Sequence, residues 1–370
     1  MLSLLDHFSD LPDPRVDRTK LHLLIDIVTI ALCAVICGAE TYEEMETFGE
    51  SKHEWLATFL ELPNGIPSHD TFRRVLMRLN PKEFESRFLT WVSCVADLTQ
   101  GEIVSIDGKT LRGSRSKSNS TIHMVSAWAA ANRLVLGQVK TEDHSNEITA
   151  IPELLSVLML KGCIVTIDAM GCQTEIARQI HEQDADYVLT LKANQPTTHQ
   201  AVISFFDQAR LAPGPNPALS FFQTVDNDHG RLETRRCFAA PASAALDPEL
   251  LARWPGLTSV VKITATRDID GDRSTESRYF LSTLPPDAQH LLSVVRTHWQ
   301  IENCLHWVLD VAFREDFSRV RSGHAPHNFA ILRHIALNLL KQETSCKNGI
   351  KSKRLKAGWD HQYLLKVINS

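Results

Sequence analysis

Paired cysteines are missing from this chain. Its eight cysteines lie at 33, 37, 94, 163, 172, 237, 304 and 346, with no CxxC pair and no zinc-type spacing. Cys33, Cys37 and Cys163 sit in apolar runs, where a free thiol behaves as a small hydrophobe. A disulfide scaffold is not the organising principle, and a reducing cytoplasm is the expected setting. An excess of basic charge is missing too. The formal net charge is −5, so any nucleic-acid contact must run through local basic patches. The opening "MLSLLDHFSDLPDPR" has early acids and no basic n-region, so no secretory leader is expected. Only "LLIDIVTIALCAVICGA" (23–39) has membrane-like character. Asp26 interrupts it and the remainder is short for a span, which favours a core helix and predicts no membrane partner. Fixed-period repeats and low-complexity tracts are absent.

A nucleotide cradle is missing as well, although "VSIDGKTLRGS" (104–114) contains Gly-Lys-Thr. A Walker loop needs a glycine five residues before its Gly-Lys, and that place is Ile103; Gly101 is too far away. A β-branched strand cannot curl around a phosphate. Gly108 is expected instead to let the chain turn off the end of a strand at Asp107.

What is present is a chain of 370 residues, 43% hydrophobic and 22% charged, enough for a large core and more than one domain. Residues 1–100 show apolar spacing near 3.6 and read as a helical domain. Within it, "SHDTFRRVLMRLNPKEFESRFLTWVSCV" reads as two helices, with Ser68 or Asp70 as a cap and Asn80-Pro81 between them. Arg73, Arg74 and Arg78 on the first of these could enter a DNA groove. From 101 to 210 the pattern becomes three strands followed by alternating helix and strand. That order indicates an α/β layer with a mixed sheet, including a helix capped by Ser145 or Asn146. The Pro-rich "RLAPGPNPALS" opens a stretch, 211–287, of alternating apolar and polar residues around "NDHG" and "DIDGD", which reads as an antiparallel β insertion. Residues 288–345 are helical again, and 346–370 form a basic tail within a basic last thirty residues.

Two segments look alike, "EIVSIDGK" and "CIVTIDAMGC": each is an apolar strand closing on Ile-Asp. Acids at adjacent strand ends, here Asp107 and Asp168, make a hard-oxygen site for Mg2+ or Mn2+. A third carboxylate would let such a site hold two ions about 4 Å apart for phosphodiester chemistry. It would come from "VVRTHWQIENCLHWVLDVAFRED", where His298, Glu302, His306 and Asp310 fall four apart on one helix face. Glu302 is the first candidate, with Asp310, Glu315 and Asp316 as competitors. A zinc site through His298 and His306 is a weaker alternative because two turns separate them. Lys109, Arg112, Arg115 and Lys117 follow the first aspartate and suit a phosphate backbone, which they would position without reading sequence.

These segments resemble the bacterial insertion-sequence transposases of the DDE class, in the H-repeat-associated branch. The resemblance rests on "DPRVDRTKLHLLIDIVTIALCAVICGAETYEEMETFG", "PSHDTFRRVLMRLNP", "SIDGKTLRGS", "HMVSAW", "SNEITAIPELL", "VTIDAMGCQ", "DADYVLTLKANQ", "RTHWQIEN", "HWVLDVAFRED" and "HNFAILRHIALNLLK", which span nearly the whole chain. It implies an RNase H-like mixed-sheet core with a β-rich insertion and an N-terminal helical domain. It implies a triad of Asp107, Asp168 and, by position, Glu302. Asp107 would bridge two Mg2+ or Mn2+ ions, and each of the other two acids would hold one. The implied chemistry is metal-dependent cleavage of double-stranded DNA at element ends, followed by strand transfer by the freed 3′-hydroxyl. A homodimer on DNA and a cytoplasmic, nucleoid-associated location go with it. The alternative is an inactive relic that only binds DNA. One departure stands out: related transposases carry Tyr, Arg and Lys at fixed distances from the glutamate, and here those places hold Val295, His298 and Leu309. Donors to the transferred strand must come from elsewhere, with Lys192, His298, Arg314, Arg319 and Arg321 as candidates.

Overall fold

The computed structural model describes residues 4–114, 121–141, 147–211, 219–228, 231–269 and 272–370. The caps expected at Ser145 or Asn146 lie outside these residues, as do parts of both insertion turns.

The apolar stretch near the N-terminus forms the helix Leu24–Cys37, with eleven of its fourteen residues buried. Each large side chain buried this way contributes about 1.5–3 kcal/mol relative to exposure. Asp26 survives inside because its carboxylate accepts the backbone N–H of Leu62 at 3.0 Å. The helix packs against the long helix Ala325–Gln342, whose residues Ala325 to Leu340 are all buried. No single described helix is long and apolar enough to cross a membrane.

The helix His69–Arg78 buries Phe72, Val75 and Leu76 and leaves Arg73 and Arg74 exposed beside Asp70, each at 3.5 Å. Ser68 sits at its N-cap without a capping bond, and its hydroxyl meets Thr71 instead. The next helix, Pro81–Val95, is capped by Asn80, whose Oδ1 accepts the N–H of Lys82 at 3.0 Å. Asn328 donates to the carbonyls of Leu76 and Leu79, both at 2.9 Å. It thereby satisfies acceptors that the end of His69–Arg78 leaves open, and ties this helix to the core.

The core sheet comprises β1 (Ile103–Leu111), β2 (Ile122–Ala129), β3 (Leu134–Lys140), β4 (Ile164–Ile167) and β5 (Asp186–Leu191). β1, β2 and β3 pair antiparallel, while β1, β4 and β5 run parallel. This is the mixed α/β sheet expected from three successive strands followed by alternating helix and strand. The insertion supplies β6 (Ser220–Asp228), β7 (Arg231–Pro241), β8 (Ser259–Ile269) and β9 (Asp272–Ser282). These strands do not form a sheet of their own. β9 pairs antiparallel with β5, so one nine-stranded sheet runs β3-β2-β1-β4-β5-β9-β8-β7-β6. At the other edge, Asn338 accepts from the N–H of Val135 and donates to its carbonyl, both at 2.9 Å. A side chain there takes the place of a missing neighbour strand.

The expected basic tail is instead a packed pair of helices, Ile350–Trp359 and His361–Ile368. Lys353 donates to the carbonyl of Leu340 at 2.7 Å, and Arg354 to that of Val35 at 2.8 Å. Two cations that look like solvated charge in the sequence thus satisfy helix-terminal carbonyls in the interior.

Candidate metal centre

The strand register brings the two aspartates together. β1 and β4 pair in parallel as far as Ile106 opposite Ile167, so Asp107 and Asp168 are the next residues on adjacent strands. β1 does not end at Asp107, however. It continues to Leu111 on its β2 side, where Asp107 faces Ser126 and Gly108 faces Val125. Gly108 is therefore a strand residue and not a turn. Lys109 and Thr110 are strand residues too, and the Thr110 hydroxyl meets His123 Nδ1 at 2.8 Å.

Glu302 arrives from the far side of the insertion. The helix Ala288–His298 gives way to a π-helical turn at Glu302–His306 before the helix Trp307–Ala312. The wider turn rotates the later helix about its axis relative to the earlier one, so the expected four-apart stripe splits among three destinations. His298 meets the Thr166 hydroxyl through Nδ1 at 2.9 Å. His306 Nδ1 lies 3.6 Å from Asp107 Oδ2 and 3.5 Å from Glu302 Oε2. Asp310 turns to Lys109 at 2.6 Å. Ligand atoms of Asp107, Glu302 and His306 all fall within 4.8 Å of one another. Asp168 stands outside that close group. Its Oδ1 accepts the backbone N–H groups of Met170 at 2.9 Å and Gly171 at 3.4 Å.

The electrostatics are those of crowded acids. Burial pushes the Asp107 carboxyl up to about 6; His306 opposes the shift, and Glu302 and Asp168 reinforce it. The His306 hydrogen bond holds Glu302 below the usual carboxylate range. A further acid stands close by that the sequence reading missed. Burial pushes Glu147 up to about 7, with Asp168 and Asp107 adding to the effect. The only local sign of Glu147 was an acid in the first turn of a helix, a position where acids are favoured for ordinary dipole reasons. The donor set fits a hard divalent cation: carboxylate oxygens dominate, an imidazole adjoins them, and the site offers no thiolate. The zinc pair is not assembled, because His298 is committed to Thr166.

Other expected site residues are distributed differently. Lys109 is enclosed, 11% exposed, and held by Asp310 at 2.6 Å, Glu315 at 2.9 Å and Asp316 at 3.5 Å. Its charge is met by these three carboxylates. The same network occupies the three competitors for the third acid, and Arg333 approaches Glu315 at 3.6 Å. Burial lowers His298 to about 4, so it is neutral and offers no positive charge. Arg112 is exposed and lies 3.5 Å from Asp316. Arg314 is 3.7 Å from Glu40, and Arg321 donates to the carbonyl of Gly113 at 2.9 Å. Arg319 and Lys192 are exposed. Arg115 and Lys117 lie outside the described residues. A cleft beside Asp168 is lined by Thr166, Lys192, Arg278, His298 and Trp299. Arg278 stacks over the Trp299 ring at 4.8 Å, and Arg278 was not singled out from the sequence.

Two family models match the chain. One described as "Transposase DDE domain" covers residues 98–339, and one described as "DDE_Tnp_1-associated" covers residues 5–92. The chain is 42% identical over 374 residues to "Putative transposase YncI" of Escherichia coli O157:H7, covering 100% of this chain and 95% of that protein. It is 38% identical over 371 residues to "H repeat-associated putative transposase YhhI" of Escherichia coli strain K12, covering 99% and 97%. Among solved structures, a piggyBac transposase synaptic complex with hairpin DNA is similar at a TM-score of 0.43 and 11% identity. That match covers 98% of this chain and 77% of the other, and is too distant to bear on mechanism.

Proposed function

The chain belongs to the DDE transposase family, in its H repeat-associated group, and from that premise we propose that it cuts double-stranded DNA at element ends and joins the freed 3′-hydroxyl to a target. The observation that carries this reading is the convergence of Asp107 and Glu302, with His306, to within 4.8 Å. The parallel register that sets Asp168 beside Asp107 supports it further. Separate elements meet there, where the parallel pairing of β1 with β4 stops, close to the place where α/β sheets form their sites.

In this reading Asp107, Asp168 and Glu302 would hold Mg2+ or Mn2+, which would supply charge for the phosphate oxygens and lower the pKa of the attacking water or hydroxyl. The protein's own groups prepare the place. Burial of Asp107 favours a cation over solvent, and the π-helical turn sets the exposed Glu302 beside it. His306 gives both carboxylates a partner, which limits the cost of leaving them crowded. Asp168 is oriented by the N–H groups of Met170 and Gly171.

DNA contacts fall to residues with outward charge: Lys192, Arg112, Arg319 and Arg321, with Arg278 and Trp299 lining the cleft. Cation and ring together suit a nucleotide strand, whose phosphates and base faces they can meet. The protein acts as a homodimer on DNA, since two element ends must be cut together, and works at the bacterial nucleoid.

The test uses a pre-cut oligonucleotide bearing the inverted repeat that flanks the gene, with Mg2+ or Mn2+. Asp107→Asn, Asp168→Asn and Glu302→Gln should each abolish strand transfer while DNA binding persists. Wild-type levels of transfer in any of them refute the triad. A wild-type protein that binds this DNA with steep salt dependence, yet neither cuts it nor takes up Mn2+, would be a binding relic instead.

A further inference from the structure

His306 meets Asp107 and Glu302 through Nδ1, so its other ring nitrogen, Nε2, faces away from the acids. That nitrogen is buried, and among the described residues it has no hydrogen-bond partner. Two more buried polar atoms close by share the same condition. One is Nδ1 of His334, a residue of the helix Ala325–Gln342 that is 3% exposed. The other is Oε1 of Glu315, which Arg333 approaches only to 3.6 Å. All three residues line one small cavity of about 10 Å3, together with Ser126 and apolar side chains such as Leu309 and Ala330. Neither Asp107 nor Glu302 borders this cavity, so it lies behind the imidazole and not in the metal centre.

We propose that His334 is a positioning residue of the metal centre: one buried water joins its Nδ1 to His306 Nε2, and so fixes the imidazole that faces Asp107 and Glu302. To hold a water, a cavity needs about 10–15 Å3 and two to four polar partners. This one has the volume for a single water and three unpaired polar atoms among its lining residues. Buried polar atoms are costly to leave unpaired, and the two rings make no direct hydrogen bond. A water both donates and accepts, so it serves both rings whichever nitrogen of each carries the proton. The group behind an imidazole sets its tautomer and its orientation. With Nε2 tethered, the ring of His306 cannot flip, and Nδ1 stays on the two carboxylates that a cation would join. The inference rests on the metal-dependent function proposed above, and the experiment separates the two.

A high-resolution crystal structure of the full-length wild type reads the cavity directly. Mn2+ calorimetry and strand transfer of a pre-cut oligonucleotide read its effect in wild type, His334→Leu and His334→Asn. A water within hydrogen-bond distance of His306 Nε2 and His334 Nδ1 is expected. His334→Leu should weaken Mn2+ binding roughly tenfold, as loss of a group in the layer around metal ligands does. It should slow strand transfer as well, while affinity for the oligonucleotide is kept. His334→Asn, whose side-chain amide can still meet the water, should recover most of both. A dry cavity in the wild type, or wild-type Mn2+ affinity in His334→Leu, overturns the inference and leaves the proposed function standing. Equal losses in His334→Asn and His334→Leu mark a packing role and overturn it too. Absence of Mn2+ binding by the wild type overturns the function and the inference together.

Discussion

Lys109 separates two views of the segment after the first aspartate. In sequence it looks like a phosphate contact; in the fold it is the cation among Asp310, Glu315 and Asp316. Lys109→Met keeps the stem and removes the charge. Asp310 and Asp316 have side chains 35% and 22% exposed and can regain water, but Glu315 at 2% cannot. Arg333, at 3.6 Å from Glu315, offsets part of the loss. Breaking a buried pair by removing one partner costs about 3–5 kcal/mol, and the partial exposure favours the lower end, about 3 kcal/mol. For a chain of this size that is a fall of roughly 4 °C in melting temperature. Scanning calorimetry at pH 7 and pH 4 reads it. Lys109 and Arg333 hold Glu315 below its ordinary range against the effect of burial. The stabilisation is therefore present above the unfolded carboxylate pKa and is lost on acidification. The deficit of the variant should be full at pH 7 and shrink at pH 4. A variant that melts with wild type at pH 7, while the slope of DNA affinity against salt flattens by about one, would refute the structural assignment and restore the phosphate contact.

Three further outcomes are expected. Burial pushes Glu85 up to about 8 from an ordinary 4.5, and its Oε1 has no hydrogen-bond partner. Its proton is held on folding, so its contribution is full below about 4.5 and falls as pH rises through 8. Glu85→Gln should remove a slope on the order of 1 kcal/mol per pH unit between about pH 5 and 8, read from urea unfolding series. Asn338→Leu leaves the N–H and carbonyl of Val135 open at the β3 edge. It should cost about 1–3 kcal/mol and speed amide exchange along β3. Trp299→Ala should weaken single-stranded oligonucleotide binding by about 1–3 kcal/mol while leaving Mn2+ affinity unchanged, measured by fluorescence anisotropy and calorimetry.

Local pattern carried much of this protein. The apolar runs that close on Asp107 and Asp168, the alternation of helix and strand after β3, and the antiparallel alternation of the insertion all show within windows of ten or twenty residues. Backbone periodicity is a local property, and it was enough to name the α/β class and to put the two aspartates on neighbouring strands, though not to show that β1 runs on past Asp107 to Leu111. Tertiary structure decided the rest, because burial and partner choice are set by residues far apart in the chain. Only pairing between β5 and β9 shows that the insertion extends the core sheet. Only burial shows that His298 is neutral, and only the convergence of three remote acids shows that Lys109 is already committed. The π-helical turn, which no spacing rule anticipates, divides a regular stripe and sends Glu302 and His306 toward Asp107 while Asp310 goes elsewhere. Gly108 is the sharpest case: in the sequence it suggests a turn, and in the fold it is a strand residue whose missing side chain makes room for Glu147, since a Cβ there would stand 1.9 Å from Glu147 Oε1.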